Sequence, residues 1–388
     1  MTRYAAAMSE HPVAAHAVGE IAGQILEDLD GAPADLVFVF VSPHFAGTTE
    51  DVVGVLRAVL EPRALVGSTH AAVVGGGREV EGTPAISVWA ASGAGLDPQV
   101  LQLDVVPGEH GGADLVGWPG LDVALADPEG AASTLLLLAD PFTFPVDGVL
   151  RVLGAARPGL QVIGGMASAA AGPGGNRLVA DATVTDRGAV GVLLGPGAPV
   201  DAVVAQGCRP VGQPYVVTAV DGNHVVALGG RPTLERLEEL ARSMSEEDRE
   251  QLLRGLHVGL VVDERNAEFS QGDFLVRNVL GAREADGALR VGASVDVGQT
   301  LQFQIRDARA ADADLRAALA GRAAAGSLLF TCTGRGERLF GHPDHDATVV
   351  HDAFGAIPVA GGFCAGELGP VGGTNHVHGF TASLALFR

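Results

Sequence analysis

Three stretches of the chain repeat one order of apolar and polar positions. The first has a continuous apolar run over 36–41, a helix-like stretch over 48–60, a shorter apolar run closed by Gly67-Ser68, and a last apolar run over 85–89. The second runs through 134–139, 146–156, a short run closed by Gly164-Gly165, and 189–193. The third runs through 327–332, 346–354, a short run closed by Gly361-Gly362, and 381–387. Uninterrupted apolar runs of this length are what strands buried on both faces require. Strand, helix and strand in that order predict a right-handed crossover with the two strands parallel. The small residues that close each second strand permit a sharp turn and close backbone approach.

Other patterns fill the intervals. Helical periodicity predicts a helix over 13–29, an Ala-rich helix over 308–325, and a polar helix over 233–254 with Thr233 as its cap. A hairpin is expected over 216–228, turning at Asp221-Gly222-Asn223. Strands are expected over 255–262, 274–280 and 300–306. The Cys208-Arg209-Pro210-Val211-Gly212-Gln213-Pro214 stretch is read as a break in regular structure. The expectation is therefore an α/β protein whose mixed sheets are built from repeated strand–helix–strand units in two related halves, 1–210 and 211–388. A length of 388 residues agrees with about two or three domains.

Composition narrows the function. The 25 basic residues, all arginine, stand against 46 acidic ones, a formal net charge of −21. Such a chain repels phosphate backbones and anionic membrane surfaces, so neither nucleic acid nor membrane is expected as a partner. No apolar stretch reaches the roughly 18 residues of a membrane span. No signal peptide is read at the N-terminus, and the three cysteines, Cys208, Cys332 and Cys364, are too scattered for a disulfide framework. A reducing, cytoplasmic setting follows as the expectation. The absence of lysine removes P-loop and Schiff-base chemistry, and the G-x-G-x-x-G, G-x-S-x-G, H-E-x-x-H and C-x-x-C patterns are missing. No cofactor, metal or catalytic residue is assigned.

Candidate chemistry gathers near the C-terminus. Cys332-Thr333-Gly334-Arg335-Gly336 follows one predicted parallel strand, and Gly362-Phe363-Cys364-Ala365-Gly366-Glu367 ends and follows its partner, with Asn375 and His378 shortly after. In open α/β sheets ligands bind at the carboxyl ends of parallel strands, so these two loops are expected to line one pocket. Gly334, Gly336 and Gly366 let backbone N–H groups approach a ligand closely. Arg335 can hold an acidic group through a bidentate fork, and Glu367 can accept from an amine. Two other readings use the same residues. In one, Arg335 and Glu367 pair with each other and lock the loops. In the other, Cys332 or Cys364 is a thiol nucleophile assisted by His378. A metal site of Cys332, Cys364, His376 and His378 has no accepted zinc spacing.

These residues bring a family into view. The chain resembles the FIST family, a sensory domain with N-terminal and C-terminal parts found in bacterial signal-transduction proteins and some eukaryotic F-box proteins. The N-terminal resemblance lies in Val39-Phe40-Val41-Ser42-Pro43 and in Leu65-Val66-Gly67-Ser68 through Gly75-Gly76-Gly77-Arg78-Glu79-Val80. The C-terminal resemblance lies in Gly272-Asp273-Phe274-Leu275-Val276-Arg277-Asn278, in Cys332-Thr333-Gly334-Arg335-Gly336, and in Gly361-Gly362-Phe363-Cys364-Ala365-Gly366-Glu367-Leu368-Gly369-Pro370. It implies a sensor of a small ligand, with amino acids suggested, acting in signal transduction through a protein partner. A scaffold that binds proteins without a small ligand is the further alternative.

Overall fold

The computed structural model describes residues 2–93, 95–108, 113–118, 133–195, 198–266 and 268–388. In chain order the N-terminal elements are β1 (Arg3–Ser9), α1 (Ala14–Asp28), β2 (Leu36–Val41), α2 (Thr49–Leu60), β3 (Ala64–Thr69), β4 (Ala72–Gly75), β5 (Arg78–Glu81), β6 (Ile86–Ser92), β7 (Gln99–Pro107) and β8 (Ala113–Val116). They are followed by β9 (Thr134–Ala139), α3 (Val146–Ala156), β10 (Gln161–Met166), β11 (Leu178–Ala180), β12 (Thr183–Thr185), β13 (Ala189–Leu194) and β14 (Val200–Gln206). The middle of the chain forms β15 (Cys208–Asp221), β16 (His224–Leu228), β17 (Arg231–Pro232), α4 (Thr233–Ser243), α5 (Glu246–Arg254), β18 (Leu256–Val261), β19 (Phe274–Arg283), β20 (Ala288–Val291), β21 (Thr300–Arg306) and α6 (Ala308–Leu319). The last elements are β22 (Gly326–Cys332), α7 (Glu337–Phe340), α8 (His345–Phe354), β23 (Val359–Cys364), β24 (Glu367–Val371), β25 (Thr374–His378) and β26 (Thr381–Phe387).

The chain divides into two compact units. One comprises Met1–Val204, Arg316–Val377 and Ala382–Arg388; the other comprises Ala205–Leu315 and His378–Thr381. The first holds all three repeats, with strand orders β1-β6-β2-β3-β11-β12, β8-β7-β13-β9-β10-β24-β25 and β14-β26-β22-β23-β4-β5. In each sheet the first and second strands of the repeat run parallel and the last strand pairs antiparallel with the first, as β2–β3 with β6, β9–β10 with β13, and β22–β23 with β26.

The hairpin that follows each second strand joins a neighbouring sheet rather than its own. Hairpin β4–β5 leaves the first repeat and pairs with β23 of the third, Gly361 opposite Val74. Hairpin β11–β12 leaves the second and pairs with β3 of the first, Val179 opposite Gly67. Hairpin β24–β25 leaves the third and pairs with β10 of the second, Leu368 opposite Gly164. The exchange is cyclic, and it gives the unit an internal threefold pattern.

Strand periodicity explains the packing. Phe38 and Phe40, Leu136 and Leu138, and Leu328 and Phe330 point from the three first strands into one shared core. The alternate residues, Val37, Val39 and Val41 in one sheet and Leu135, Leu137 and Ala139 in another, pack outward against the helices. The conserved geometry of the repeats needs glycine where strands cross closest. A Cβ on Gly164 would lie 1.9 Å from the Leu137 carbonyl oxygen, and one on Gly361 would lie 1.8 Å from that of Leu329.

The second unit is one antiparallel sheet of order β15-β21-β18-β19-β20-β16-β17, and β15 also pairs with β16, so the sheet curls back on itself. Leu301, Phe303 and Ile305 of β21 enter its core with Val258 and Leu260 of β18. Three expectations change here. Residues 208–214 do not break the structure but form the start of β15, where Pro214 falls in a register shift between Val211 and Tyr215. Bulges tolerate proline because no ladder hydrogen bond is required there. The polar helix over 233–254 is two helices, because Ser245 accepts from the Asp248 N–H and starts a new one. Thr233 is not a cap: its hydroxyl donates to the Val225 carbonyl at 2.8 Å.

Candidate functional site

The loop after β22 is drawn tight by its backbone, with the Arg335 N–H donating to the Cys332 carbonyl at 2.8 Å and the Gly334 N–H donating to Cys332 Sγ at 3.4 Å. Gly336 follows with φ +64°, a conformation that glycine supplies without strain. A Cβ there would lie 2.7 Å from Phe363 Cε1, so the Cys332–Gly336 loop rests directly on the end of β23. Thr333 N–H also donates to the Cys364 carbonyl at 3.0 Å.

This turn drives Arg335 inward until it is fully buried. Its Nε and Nη2 donate to the two oxygens of Asp346, each at 2.7 Å. Asp346 is held at the start of α8 and also accepts from Thr331 Oγ1 at 2.6 Å and contacts His345 Nδ1 at 3.0 Å. Phe340 lies 5.2 Å from the guanidinium and stacks on the His345 ring at 3.4 Å. The bidentate fork that the sequence offered to a ligand is thus occupied by Asp346, and Glu367 is not its partner.

The exchanged hairpin of the first repeat completes this cluster. Glu79 of β5 accepts from the Ala347 N–H at 2.9 Å, and its own N–H donates to Asp344 Oδ1 at 2.6 Å. Glu81, two residues on, accepts from the Glu337 N–H at 2.8 Å. Glu79 Oε2 and Arg335 Nη1 are buried and have no hydrogen-bond partner among the described residues. Burial, reinforced by the Asp346 charge, pushes the Glu79 carboxyl up to about 8. Burial also acts to raise Asp346, but the Arg335 guanidinium and its hydrogen bonds hold that carboxyl well below the usual range.

A stability prediction follows from Glu79. In the fold it keeps its proton to about pH 8, whereas an unfolded glutamate releases it near 4.3. Its contribution is therefore fully present at acid pH and is lost as pH rises to about 8. Chemical denaturation of Glu79→Gln and of the parent chain from pH 5 to 9 should show the variant gaining relative stability, on the order of 1 kcal/mol per pH unit, with the gain levelling off above about 8. A difference independent of pH would show that Glu79 is ionised throughout.

A second polar group sits where the three second strands end. His70 is fully buried; its Nδ1 donates to the Phe363 carbonyl at 2.9 Å, and Ser68 Oγ donates to its Nε2 at 2.7 Å. Burial pushes its pKa down to about 4. Ser168 Oγ reaches the same Phe363 carbonyl. Gly362 leaves room for the His70 ring, which a Cβ would approach to 2.5 Å. Cys364 Sγ lies 3.9 Å from His70 Nδ1, but that nitrogen is already engaged and burial raises the thiol well above its ordinary pKa. The histidine beside Cys364 is therefore His70, and the surroundings oppose a thiolate. Cys332 and Cys364 are cross-strand neighbours, and neither is in a disulfide.

The remaining expected residues lie apart from Arg335. Gly366 accepts from the Met166 N–H at 2.8 Å. Glu367 is buried on β24 opposite Gly165. Asn375 fastens β25 to the start of β10, accepting from Val162 N–H at 2.9 Å and donating to the Leu160 carbonyl at 2.7 Å. His378 is buried and belongs to the second unit. Among the described residues no three His, Cys, Asp or Glu side chains are grouped to hold a metal ion. No helix among them is long and apolar enough to cross a membrane.

Three hairpin-exchanging α/β repeats with an antiparallel unit inserted between the second and third, and a buried Arg–Asp–Glu group where the hairpin of the first repeat meets the third, define a two-part α/β protein with a buried polar site. The FIST N domain model matches residues 35–231 and the FIST C domain model matches residues 234–370. The chain belongs to the FIST domain family. FIST domains are associated with sensory signal transduction. The chain is similar to an uncharacterized protein of Mycobacterium tuberculosis (strain ATCC 25618 / H37Rv), 43% identical over 392 residues that cover 99% of each chain. It is equally similar to an uncharacterized protein of Mycobacterium bovis, 43% identical over 383 residues covering 97% of this chain and 96% of that one.

Proposed function

We propose that this protein is a cytoplasmic sensor that binds a small carboxylate, amino acids included, against Arg335 and Glu79 and passes the signal to a protein partner. The observation that carries this reading is the pair of unpartnered atoms, Arg335 Nη1 and Glu79 Oε2, in one buried cluster. Buried polar atoms in folded proteins are nearly always satisfied, by water or by a ligand where the chain itself does not do so. With its proton held to about pH 8, Glu79 is a donor at neutral pH. A guanidinium N–H and a carboxyl O–H together suit an incoming carboxylate, while Asp346 continues to hold the other face of Arg335. The Cys332–Gly336 loop and Gly362–Cys364 form the surround in this reading, while Gly366, Glu367 and Asn375 belong to the neighbouring contact of β24 and β25 with β10.

The test is calorimetric titration with acetate, succinate, alanine and glutamate. At pH 7 at least one should bind, and its affinity should fall by about tenfold between pH 7 and 9 as Glu79 loses its proton. The double variant Arg335→Met with Asp346→Leu, which removes both buried charges, should abolish binding. Equal affinity in that variant would place the ligand elsewhere.

A further inference from the structure

Strand β21 alternates in a way the first unit does not explain. Leu301, Phe303 and Ile305 enter the core of the second unit, so Thr300, Gln302, Gln304 and Arg306 share the opposite face. That face is polar, yet it is closed to water: Gln304 is wholly buried and Gln302 nearly so. Most of its groups are accounted for. Thr300 Oγ1 donates to Glu264 Oε2 at 2.6 Å, and Gln302 Nε2 donates to the Gly212 carbonyl at 2.8 Å. Directly across from Gln304 on β18 stands His257, whose Nδ1 donates to the Gly255 carbonyl at 3.1 Å and whose ring also hydrogen-bonds Asn278. Phe380, at φ +60°, sets its ring 4.2 Å from that of His257, with the Arg306 guanidinium 5.0 Å over it.

Gln304 stands out on this face. Among the described residues neither its Oε1 nor its Nε2 has a hydrogen-bond partner. Space is made for this amide: a Cβ on Gly259 would lie 2.5 Å from Gln304 Nε2, so the neighbouring strand carries the one residue that lets it lie there. A buried amide with both ends unmet destabilises the fold, because neither group recovers the hydrogen bonds it made to water. A leucine of similar volume would avoid that penalty, so the amide is explained by what it contacts when the site is filled.

We propose that Gln304 is the recognition residue of a second binding site, lying on the polar face of β18 and β21, for a small molecule that presents a carboxamide or lactam edge. Such an edge carries one acceptor and one donor side by side, and it meets Nε2–H and Oε1 of the amide in a two-bond pair. The Gly272–Asn278 stretch, part of the chain's resemblance to its family, supplies Asn278 to orient His257 beside it. This site lies in the second unit and does not depend on the Arg335 reading.

The probes are acetamide, nicotinamide and uracil, titrated into the full chain labelled with ¹⁵N at glutamine side chains. At least one probe should shift the Gln304 side-chain resonance saturably, with at least tenfold weaker binding to Gln304→Leu and to Gln304→Glu. Gln304→Leu should melt at or above the parent temperature, since it removes an unmet amide without creating a cavity. If the leucine variant does not fold, Gln304→Glu assigns the resonance, and the shift in the parent chain decides. No saturable shift with any probe would mean that water alone satisfies the amide, and the proposal falls. Equal binding by a folded Gln304 variant would overturn it as well. The Arg335→Met, Asp346→Leu chain should bind these probes as the parent does, which separates this site from the carboxylate site.

Discussion

Asp346→Leu should lose about 3–5 kcal/mol, since it strands a fully buried guanidinium without its carboxylate. Arg335→Met should lose a comparable amount for the mirror reason. The double variant should recover most of the loss, because an apolar pair of similar volume replaces a buried ion pair at little or no cost. Urea denaturation of the four chains gives a double-mutant cycle, with an expected coupling of several kcal/mol. Additive losses would mean that the two side chains are stabilised separately and that the bidentate contact is not the lock on this loop. The same cycle establishes the folded, charge-free background on which the carboxylate titration depends.

A chain ending at residue 325 should not fold, although it retains both N-terminal repeats entire. It lacks Leu328, Phe330 and Phe387, which point into the shared core. Large-to-small changes at such positions cost about 2–5 kcal/mol each, and three of them already match a net stability of about 5–15 kcal/mol. It also leaves β4 without β23 and β10 without β24. Hydrogen exchange should find β2, β3, β9 and β10 unprotected in the truncated chain and protected in the full one. Native-like protection of those strands in the truncated chain would show that two repeats close on each other without the third.

The repeats were legible because each first strand is an unbroken apolar run and each second strand ends in small residues, patterns that survive in the sequence whatever the neighbours are. The exchange of hairpins was not. Ala72–Gly75 has the same alternation whether it joins its own sheet or another, and only the packing of the shared core selects the partner. The break at Met244-Ser245 was missed because polar helical periodicity continues through it while the Ser245 cap interrupts it locally. At the site, Arg335 stood out as a lone cation in a glycine-rich loop. Its partner did not, because Asp344, Asp346 and Glu367 all lie within reach along the chain and only the rotation of α8 chooses among them. Glu79 lies in a stretch that carries the family resemblance, but nothing around it in the sequence points to Arg335; it arrives through the exchanged hairpin.

The cyclic hairpins also impose a timetable on synthesis. Strand β10 is complete at Met166, but its neighbour β24 begins at Glu367, about 200 residues later. At about 5–20 residues per second, the ribosome leaves that interval open for about 10–40 s. Throughout it the nascent chain presents an apolar strand with an unpaired edge, the form of surface that templates pairing with other chains. A shared core that closes last therefore makes this protein dependent, during translation, on whatever shields that edge until the final sixty residues emerge.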